Sequence, residues 1–134
     1  MENDFVDRLG ALAHLETIRS ARIEALNLRN NIKGSLNTTS EVLKLPKLRP
    51  ARIHVFTNLC AIEVGTGKPQ LFFYILVGGE KYYIHSATVT TAEDSVNWSG
   101  QVIALEGNEI CVEAQGATAA DELVFTGNGY SMRL

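Results

Sequence analysis

The side chains best suited to catalytic or metal chemistry are widely separated in this sequence. The histidines are His14, His54 and His85, and the cysteines are Cys60 and Cys111. An imidazole acts as a metal ligand or general base only beside further ligands or an orienting partner, and no such spacing is found. The cysteines are spaced neither as a disulfide framework nor as a metal site, so we expect free thiols. We predict no catalytic residue, no metal, no cofactor and no enzymatic activity.

One glycine-rich segment has the composition of a phosphate-binding loop. It reads Gly65-Thr66-Gly67-Lys68-Pro69. The first glycine of the phosphate-loop spacing is missing, and proline follows the lysine where Ser or Thr would be needed. A hairpin turn is therefore the better interpretation.

Charge is unevenly distributed along the chain. Residues 1–50 contain eight Lys and Arg against six Asp and Glu, a balance of +2, whereas residues 51–134 contain four against nine, a balance of −5. Nothing in the spacing of the C-terminal acids selects one pair as acid and base, so we expect a solvated acidic rim. The acids in question are Asp94, Glu106, Glu109, Glu113, Asp121 and Glu122.

Composition indicates a globular chain of ordinary domain size. The 134 residues are 46% hydrophobic and 20% charged, and no apolar run is long enough to span a bilayer. The first residues are acidic and no secretory signal follows, so we expect synthesis in the cytoplasm. The pI of about 5.6 and the lack of a basic module with interleaved aromatic residues argue against nucleic acid as a partner.

A short basic segment contains two prolines, Pro46 and Pro50. We interpret it as a solvated connector, with contact to an acidic partner surface as the alternative. Its basic residues, which have no acid among them, are Lys44, Lys47, Arg49 and Arg52.

The first segment has the periodicity of an amphipathic helix. Asn3 or Asp4 can cap its start, and Gly34 can end it. Apolar residues recur at steps of three and four, and such a helix would be about 45 Å long. The β domain that follows has only about 80 residues and can cover only part of a helix of that length. We therefore expect part of the apolar stripe of the helix to contact another chain. The alternative is a helix that packs wholly on its own domain. The stripe residues are Leu15, Ile18, Ala25, Leu28 and Ile32.

After Pro50 the apolar periodicity changes to two and turn signals become frequent. Many short strands with Gly-rich turns favour an antiparallel β-sandwich or jelly roll. The predicted fold class is therefore mainly β with an N-terminal α-helix. We divide the chain into a helical arm over residues 1–34, an irregular basic connector containing prolines over 35–50, and a β-sandwich domain over 51–134.

The clearest hairpin turns at Gly78-Gly79, where a two-residue loop fixes the register of the flanking strands. One face of this hairpin is assigned to the core: Phe73, Ile75, Tyr82 and Ile84. The opposite face carries Phe72, Tyr74, Tyr83 and His85. An outer face of an antiparallel sheet is usually polar, so we expect this aromatic face to be an interface.

A second loop, at Gly107-Asn108, suggests another hairpin by the same reasoning. It would pair Leu105 with Ile110.

Three stretches of the C-terminal half resemble small virion proteins of tailed bacteriophages. They are residues 96–110, 116–123 and 127–130. They match the family's glycine turn followed by Ile, its Ala-Thr loop and its closing Ser-Gly-Tyr strand, with Asn108 where Asp is commoner and Asn128 in place of Ser. The resemblance covers residues 51–134. It implies a β-sandwich, present in multiple copies and without catalysis, that decorates the capsid or joins parts of the neck and tail.

These inferences predict a bacteriophage virion structural protein. We expect its partners to be copies of itself and other virion proteins, with no membrane, no nucleic acid and no small-molecule substrate. Its location would be the virion, after synthesis in the host cytoplasm. The alternative is a carbohydrate-binding β-sandwich module that stacks sugars on Trp98 and the tyrosines.

Overall fold

The computed structural model describes residues 23–134 of the chain. This part contains eight β-strands and no α-helix. The strands are β1 (Ile23–Lys33), β2 (Glu41–Lys44), β3 (Arg52–Val64), β4 (Gln70–Val77), β5 (Glu80–Thr88), β6 (Val96–Ala104), β7 (Glu109–Gln115) and β8 (Glu122–Arg133).

The strands form two four-stranded sheets in which every pairing is antiparallel. The first sheet has the order β1-β8-β3-β6 and the second has the order β2-β7-β4-β5. Apart from the β4–β5 hairpin, consecutive strands lie in different sheets, so the interpretation of residues 65–69 as a hairpin turn is wrong. Eight strands in two such sheets form a jelly roll, which confirms the predicted β-sandwich.

The core lies between the inner faces of the two sheets. Phe125 on β8 stacks on Phe73 on β4, with ring centroids 5.6 Å apart and planes inclined by 16°. Phe56 and Leu59 on β3 are also fully buried. Aromatic contact across the two layers therefore joins the sheets at their centre.

The prediction of a helix is wrong for residues 23–33, which form β1. All eleven residues pair with β8, and Leu26, Leu28 and Ile32 alternate towards the core as strand residues do. Ala25 is exposed. The segment includes three asparagines, which are poor helix formers, and pairing along a whole strand outweighs the local periodicity. The other stripe residues, Leu15 and Ile18, lie outside the described residues.

Residues 35–50, expected to form an irregular solvated connector, contain β2 and pack on the core. Leu36, Leu45 and Leu48 are buried members of the hydrophobic cluster. Backbone hydrogen bonds extend the contact beyond β2, since the Leu45 N–H donates to the Ile110 carbonyl over 2.9 Å. The sandwich therefore includes chain that precedes residue 51.

The predicted register of the Gly78-Gly79 hairpin is confirmed for the pairs close to the turn. Farther from the turn it is shifted by one residue. Ile75 pairs with Tyr82 and Tyr74 with Tyr83, but a bulge then pairs Phe73 with His85. The extra residue in β5 turns His85 towards the core, with its ring centroid 6.2 Å from that of Phe73. The assignment of His85 to the outer face is therefore wrong.

The predicted pairing across Gly107-Asn108 is also wrong. The turn is present, because the Asn108 N–H donates to the Leu105 carbonyl over 3.0 Å. However, β6 belongs to the first sheet and β7 to the second. The turn therefore carries the chain from one layer to the other.

Two glycines in β8 allow its close packing at the centre of the first sheet. A Cβ atom on Gly129 would overlap the Val55 carbonyl oxygen of β3. A Cβ atom on Gly127 would come within 2.6 Å of Leu45 Cδ1 and 3.0 Å of a Phe56 ring carbon. Both positions require the absence of a side chain.

We expect Gly129→Ala to lower the free energy of unfolding by about 3 kcal/mol or more, because backbone must move to admit the methyl group. Asn128→Ala is the matched control, since that neighbouring side chain is exposed. Chemical denaturation of both variants checks the prediction. Equal stability of the two variants would contradict the described packing.

Candidate functional site

An aromatic cluster lies on the outer face of the second sheet. We call Phe72, Tyr74, Lys81 and Tyr83 the aromatic face. The Tyr83 ring meets Tyr74 edge-on at 5.8 Å between centroids, and Phe72 edge-on at 6.2 Å. Lys81 Nζ lies 4.9 Å from the centroid of Tyr74, which is a cation–π distance. The sequence correctly predicted that Phe72, Tyr74 and Tyr83 lie together.

The residues of the aromatic face differ strongly in exposure. Tyr83 is 62% exposed, whereas Tyr74 beneath it is 2% exposed. Burial raises the pKa of the Tyr74 hydroxyl, and the neighbouring Cys111 contributes to the same shift. Burial also raises the pKa of the Cys111 thiol. Both groups are therefore neutral at pH 7, and the positive charge at the centre of the face is that of Lys81 over the Tyr74 ring.

Charged side chains of both signs border the aromatic face on the neighbouring strands. Lys44 Nζ lies 2.8 Å from Glu109 Oε2, and this contact raises the pKa of the lysine. The Ser40 hydroxyl donates to Glu113 Oε1 over 2.8 Å. Glu109 and Glu113 lie on β7 at one side of β4, and Lys81 lies on β5 at the other.

The predicted basic connector is not one open patch. Arg52 is only 4% exposed, and it donates through Nη2 to Glu24 Oε1 over 2.7 Å and through Nη1 to the Ser131 hydroxyl over 3.0 Å. Arg49 Nη1 donates to Glu24 Oε2 over 3.0 Å. The Arg52 hydrogen bond in particular lowers the pKa of Glu24. With Lys44 paired to Glu109, only Lys47 of the four lacks an acidic partner among residues 23–134.

A cavity of about 170 Å³ lies beside this ion pair, between β1, β3, β8 and the 47–49 loop. It includes His54, whose Nδ1 is buried with no hydrogen-bond partner in the described part of the chain. Burial lowers the pKa of His54, with a smaller contribution from the nearby arginines, so the ring is neutral at pH 7. A neutral imidazole in this position is a packing residue of the sandwich.

Sequence reasoning missed a pair of buried carboxyl groups at the opposite end of β3. Glu63 is 1% exposed, and its side chain hydrogen-bonds to that of Asp121 in the loop before β8. The Gly67 N–H donates to Asp121 Oδ2 over 2.9 Å, and the Thr118 N–H donates to Glu63 Oε2 over 3.4 Å. The glycines of the 65–69 turn were the available signal, since a Cβ atom at Gly65 or Gly67 would collide with these carboxyl groups.

The pKa values of the two acids are shifted in opposite directions. Burial, followed by the hydrogen bond to Asp121, raises the pKa of Glu63 to about 7. The hydrogen bonds from Glu63 and from the backbone N–H groups of Gly67 and Thr66 lower the pKa of Asp121. The pair therefore shares one proton at acidic and near-neutral pH.

Within residues 23–134, no group of three or more His, Cys, Asp or Glu side chains is arranged to hold a metal ion. Both cysteines are free thiols; Cys60 is half-buried and Cys111 is buried. Trp98 is half-buried and packs against the core.

No helix in residues 23–134 is long and apolar enough to cross a membrane.

No family model and no curated protein matches the chain. Solved structures with a similar arrangement include a protein of Bacillus endospore appendages, which are disulfide-linked pili, at 14% identity and a TM-score of 0.45, covering 84% of this chain and 88% of that one. Murine APRIL matches at 10% identity and a TM-score of 0.44, covering 78% of this chain and 99% of that one. Infectious bursal disease virus matches at 8% identity and a TM-score of 0.37, covering 84% of this chain and 32% of that one.

Substitution by alanine should distinguish the buried residues of the β4–β5 hairpin from its exposed residues by the loss of unfolding free energy. Phe73→Ala should cost about 3 to 5 kcal/mol of unfolding free energy, because Phe73 is fully buried against Phe125. Tyr82→Ala should cost less than about 1 kcal/mol, because Tyr82 is 53% exposed although sequence reasoning assigned it to the core. Urea titration measures both changes. A loss for Tyr82→Ala as large as that for Phe73→Ala would contradict the described exposure of Tyr82.

Proposed function

We propose that this protein is a non-catalytic structural subunit of a bacteriophage virion, present in multiple copies, that decorates the capsid or joins components of the neck and tail. It is made in the host cytoplasm and resides in the virion. Two things support the proposal. One is the resemblance of residues 96–110, 116–123 and 127–130 to phage virion proteins, and the other is the jelly-roll order of the strands.

The observation that carries an assembly role is the exposure of Tyr83 on the aromatic face. An exposed outer face of an antiparallel sheet is usually polar, whereas Tyr83 presents a large ring supported by Phe72 and Tyr74. Because the neighbouring rings hold it in place, Tyr83 loses little side-chain entropy on contact with a partner. Such preorganised aromatic residues are frequent binding hot spots.

A second copy of the chain is the partner that the charges favour. The acids Glu109 and Glu113 lie to one side of Tyr74, and Lys81 lies to the other. A two-fold axis parallel to β4, between two facing copies, brings Lys81 of one copy over Glu109 of the other. The contact is then self-complementary, as an interface between identical subunits requires.

The test compares two neighbouring tyrosines of similar exposure. Tyr83→Lys places a charge in the proposed contact and should weaken self-association by a factor of about 30, which corresponds to about 2 kcal/mol for a hot-spot residue. Tyr82→Lys is the control, because its side chain projects from the opposite side of β5. Sedimentation equilibrium gives the association constants, and thermal melting verifies that both variants are folded.

Tyr74→Lys is a poor substitute for this test, since Tyr74 is buried and the change would also destabilise the fold.

Wild-type protein that stays monomeric at all accessible concentrations would refute the self-association, as would equal association of both lysine variants. Addition of the protein to particles that lack it then measures incorporation, which Tyr83→Lys should abolish.

The carbohydrate-binding alternative has one observation in its favour, the exposure of Tyr82 and Tyr83. Trp98, the residue first considered for stacking, packs against the core. A glycan array with wild-type and Tyr83→Lys protein distinguishes the two proposals. Binding of a saccharide that is lost in Tyr83→Lys, without any self-association of the wild type, would favour the carbohydrate module.

A further inference from the structure

Three loops meet at one end of the sandwich around Asp121. The 116–121 loop precedes β8, the 34–40 segment joins β1 to β2, and the 65–69 turn joins β3 to β4. The Gly34 N–H donates to the Asp121 carbonyl over 2.9 Å, and the Leu36 N–H donates to the Ala119 carbonyl over 3.2 Å. The Asp121 side chain holds the third loop through the Gly67 N–H. A change at Asp121 therefore affects all three connections.

The carboxyl groups of Glu63 and Asp121 fill the space at this junction. Neither Gly65 nor Gly67 could carry a side chain without displacing them. Both residues are buried, and Glu63 Oε1 has no hydrogen-bond partner in the described part of the chain. Two carboxyl groups in contact and away from water cannot both be ionised without strong repulsion.

The surroundings favour a shared proton over a bound metal ion. Backbone N–H groups of Gly67 and Thr66 point to Asp121, and that of Thr118 points to Glu63. These donors stabilise a carboxylate directly, whereas a cation site would present oxygen ligands.

Among residues 23–134, Asp121 is the only charged group that faces Glu63. On the 65–69 turn the single charged side chain, Lys68, is exposed. On β8, Glu122 accepts a hydrogen bond from the Asn31 side-chain amide over 3.0 Å, at the surface. On the 116–121 loop, the one titratable group is Asp121 itself.

We propose that Glu63 and Asp121 form a pH-dependent latch, in which one shared proton holds the three loops together and its loss at alkaline pH loosens this end of the jelly roll. The inference is independent of the assembly role. In the folded protein the pKa of Glu63 is about 7, above the ordinary value of 4.5. Between these two values the folded state holds the proton more tightly than the unfolded state does. The stabilisation is therefore fully present below about pH 4.5 and is lost as the pH rises through 7.

The test measures melting temperature from pH 5 to pH 8.5 for the wild type, Glu63→Gln and the control Glu122→Gln. Glu63→Gln keeps a neutral hydrogen-bonding group, so it should remove the loss of stability that the wild type shows as the pH rises from about 4.5 to 7. We expect the wild type and Glu122→Gln to lose about 5 °C or more relative to Glu63→Gln across this range. Parallel pH profiles of all three proteins would overturn the proposal.

A second measurement, on the wild type alone, tests the latch even if Glu63→Gln fails to fold. Carboxyl-carbon NMR of the wild type should show one Glu resonance with a midpoint near pH 7, together with faster amide exchange of Gly67 above that pH. Titration of every Glu near 4.5 would overturn the latch. Where Glu63→Gln does fold, a rise in wild-type melting temperature at pH 8 on addition of calcium that Glu63→Gln lacks would also overturn the latch, because a metal ion and not a proton would then bridge the acids.

Discussion

The pairing of β8 with a strand on each side is the constraint on which the rest of the structure depends. Residues of β8 pair with β1 along one edge and with β3 along the other. This is possible because Gly127 and Gly129 leave room for the Phe56 ring and for the backbone of β3. The strand also carries Phe125 into the core against Phe73 of the second sheet. The position of β8 thus sets both the first sheet and its contact with the second.

The two ends of β3 make chemically different side-chain contacts with neighbouring segments. At its start, the buried guanidinium of Arg52 is neutralised by Glu24 of β1. At its end, the carboxyl group of Glu63 meets Asp121. The first contact joins opposite charges and keeps its charge state over the physiological range, whereas the second joins like groups and depends on a proton. The contact between Glu63 and Asp121 is therefore sensitive to pH near neutrality, whereas the ion pair of Arg52 and Glu24 is not.

Local sequence signals predicted those parts of the fold that are set by local geometry. The Gly78-Gly79 turn fixed the pairs closest to it, and the alternation in β4 correctly assigned Phe73 and Ile75 to the core. No local pattern predicts the β-bulge that turns His85 towards the core, because the sequence does not show that β5 contains one more residue than the stretch of β4 that it pairs with. The glycine turn at 107 was found, but a turn does not reveal whether its two strands share a sheet.

The remaining errors concern partners that are distant in the chain. The periodicity of residues 23–33 predicts a helix because Leu28 and Ile32 fit a helical stripe as well as a strand face. The partner that makes this segment a strand, β8, lies at the other end of the chain. Glu63 and Asp121 were not connected for the same reason. The sequence signal for this contact is the pair of glycines after Glu63, Gly65 and Gly67, because a Cβ atom at either position would collide with one of the two carboxyl groups. Spacing along the chain predicts contacts within a hairpin, whereas every strand pairing described here except β4–β5 joins strands that are not consecutive in the sequence.

We propose that copies of this jelly roll meet through the aromatic face. Tyrosine nitration followed by mass spectrometry tests it directly, because Tyr82 and Tyr83 are adjacent and both exposed in the single chain. Tyr83 should become protected from nitration as the protein self-associates or enters particles, while Tyr82 remains reactive. Equal reactivity of Tyr83 in the free and assembled protein would contradict it.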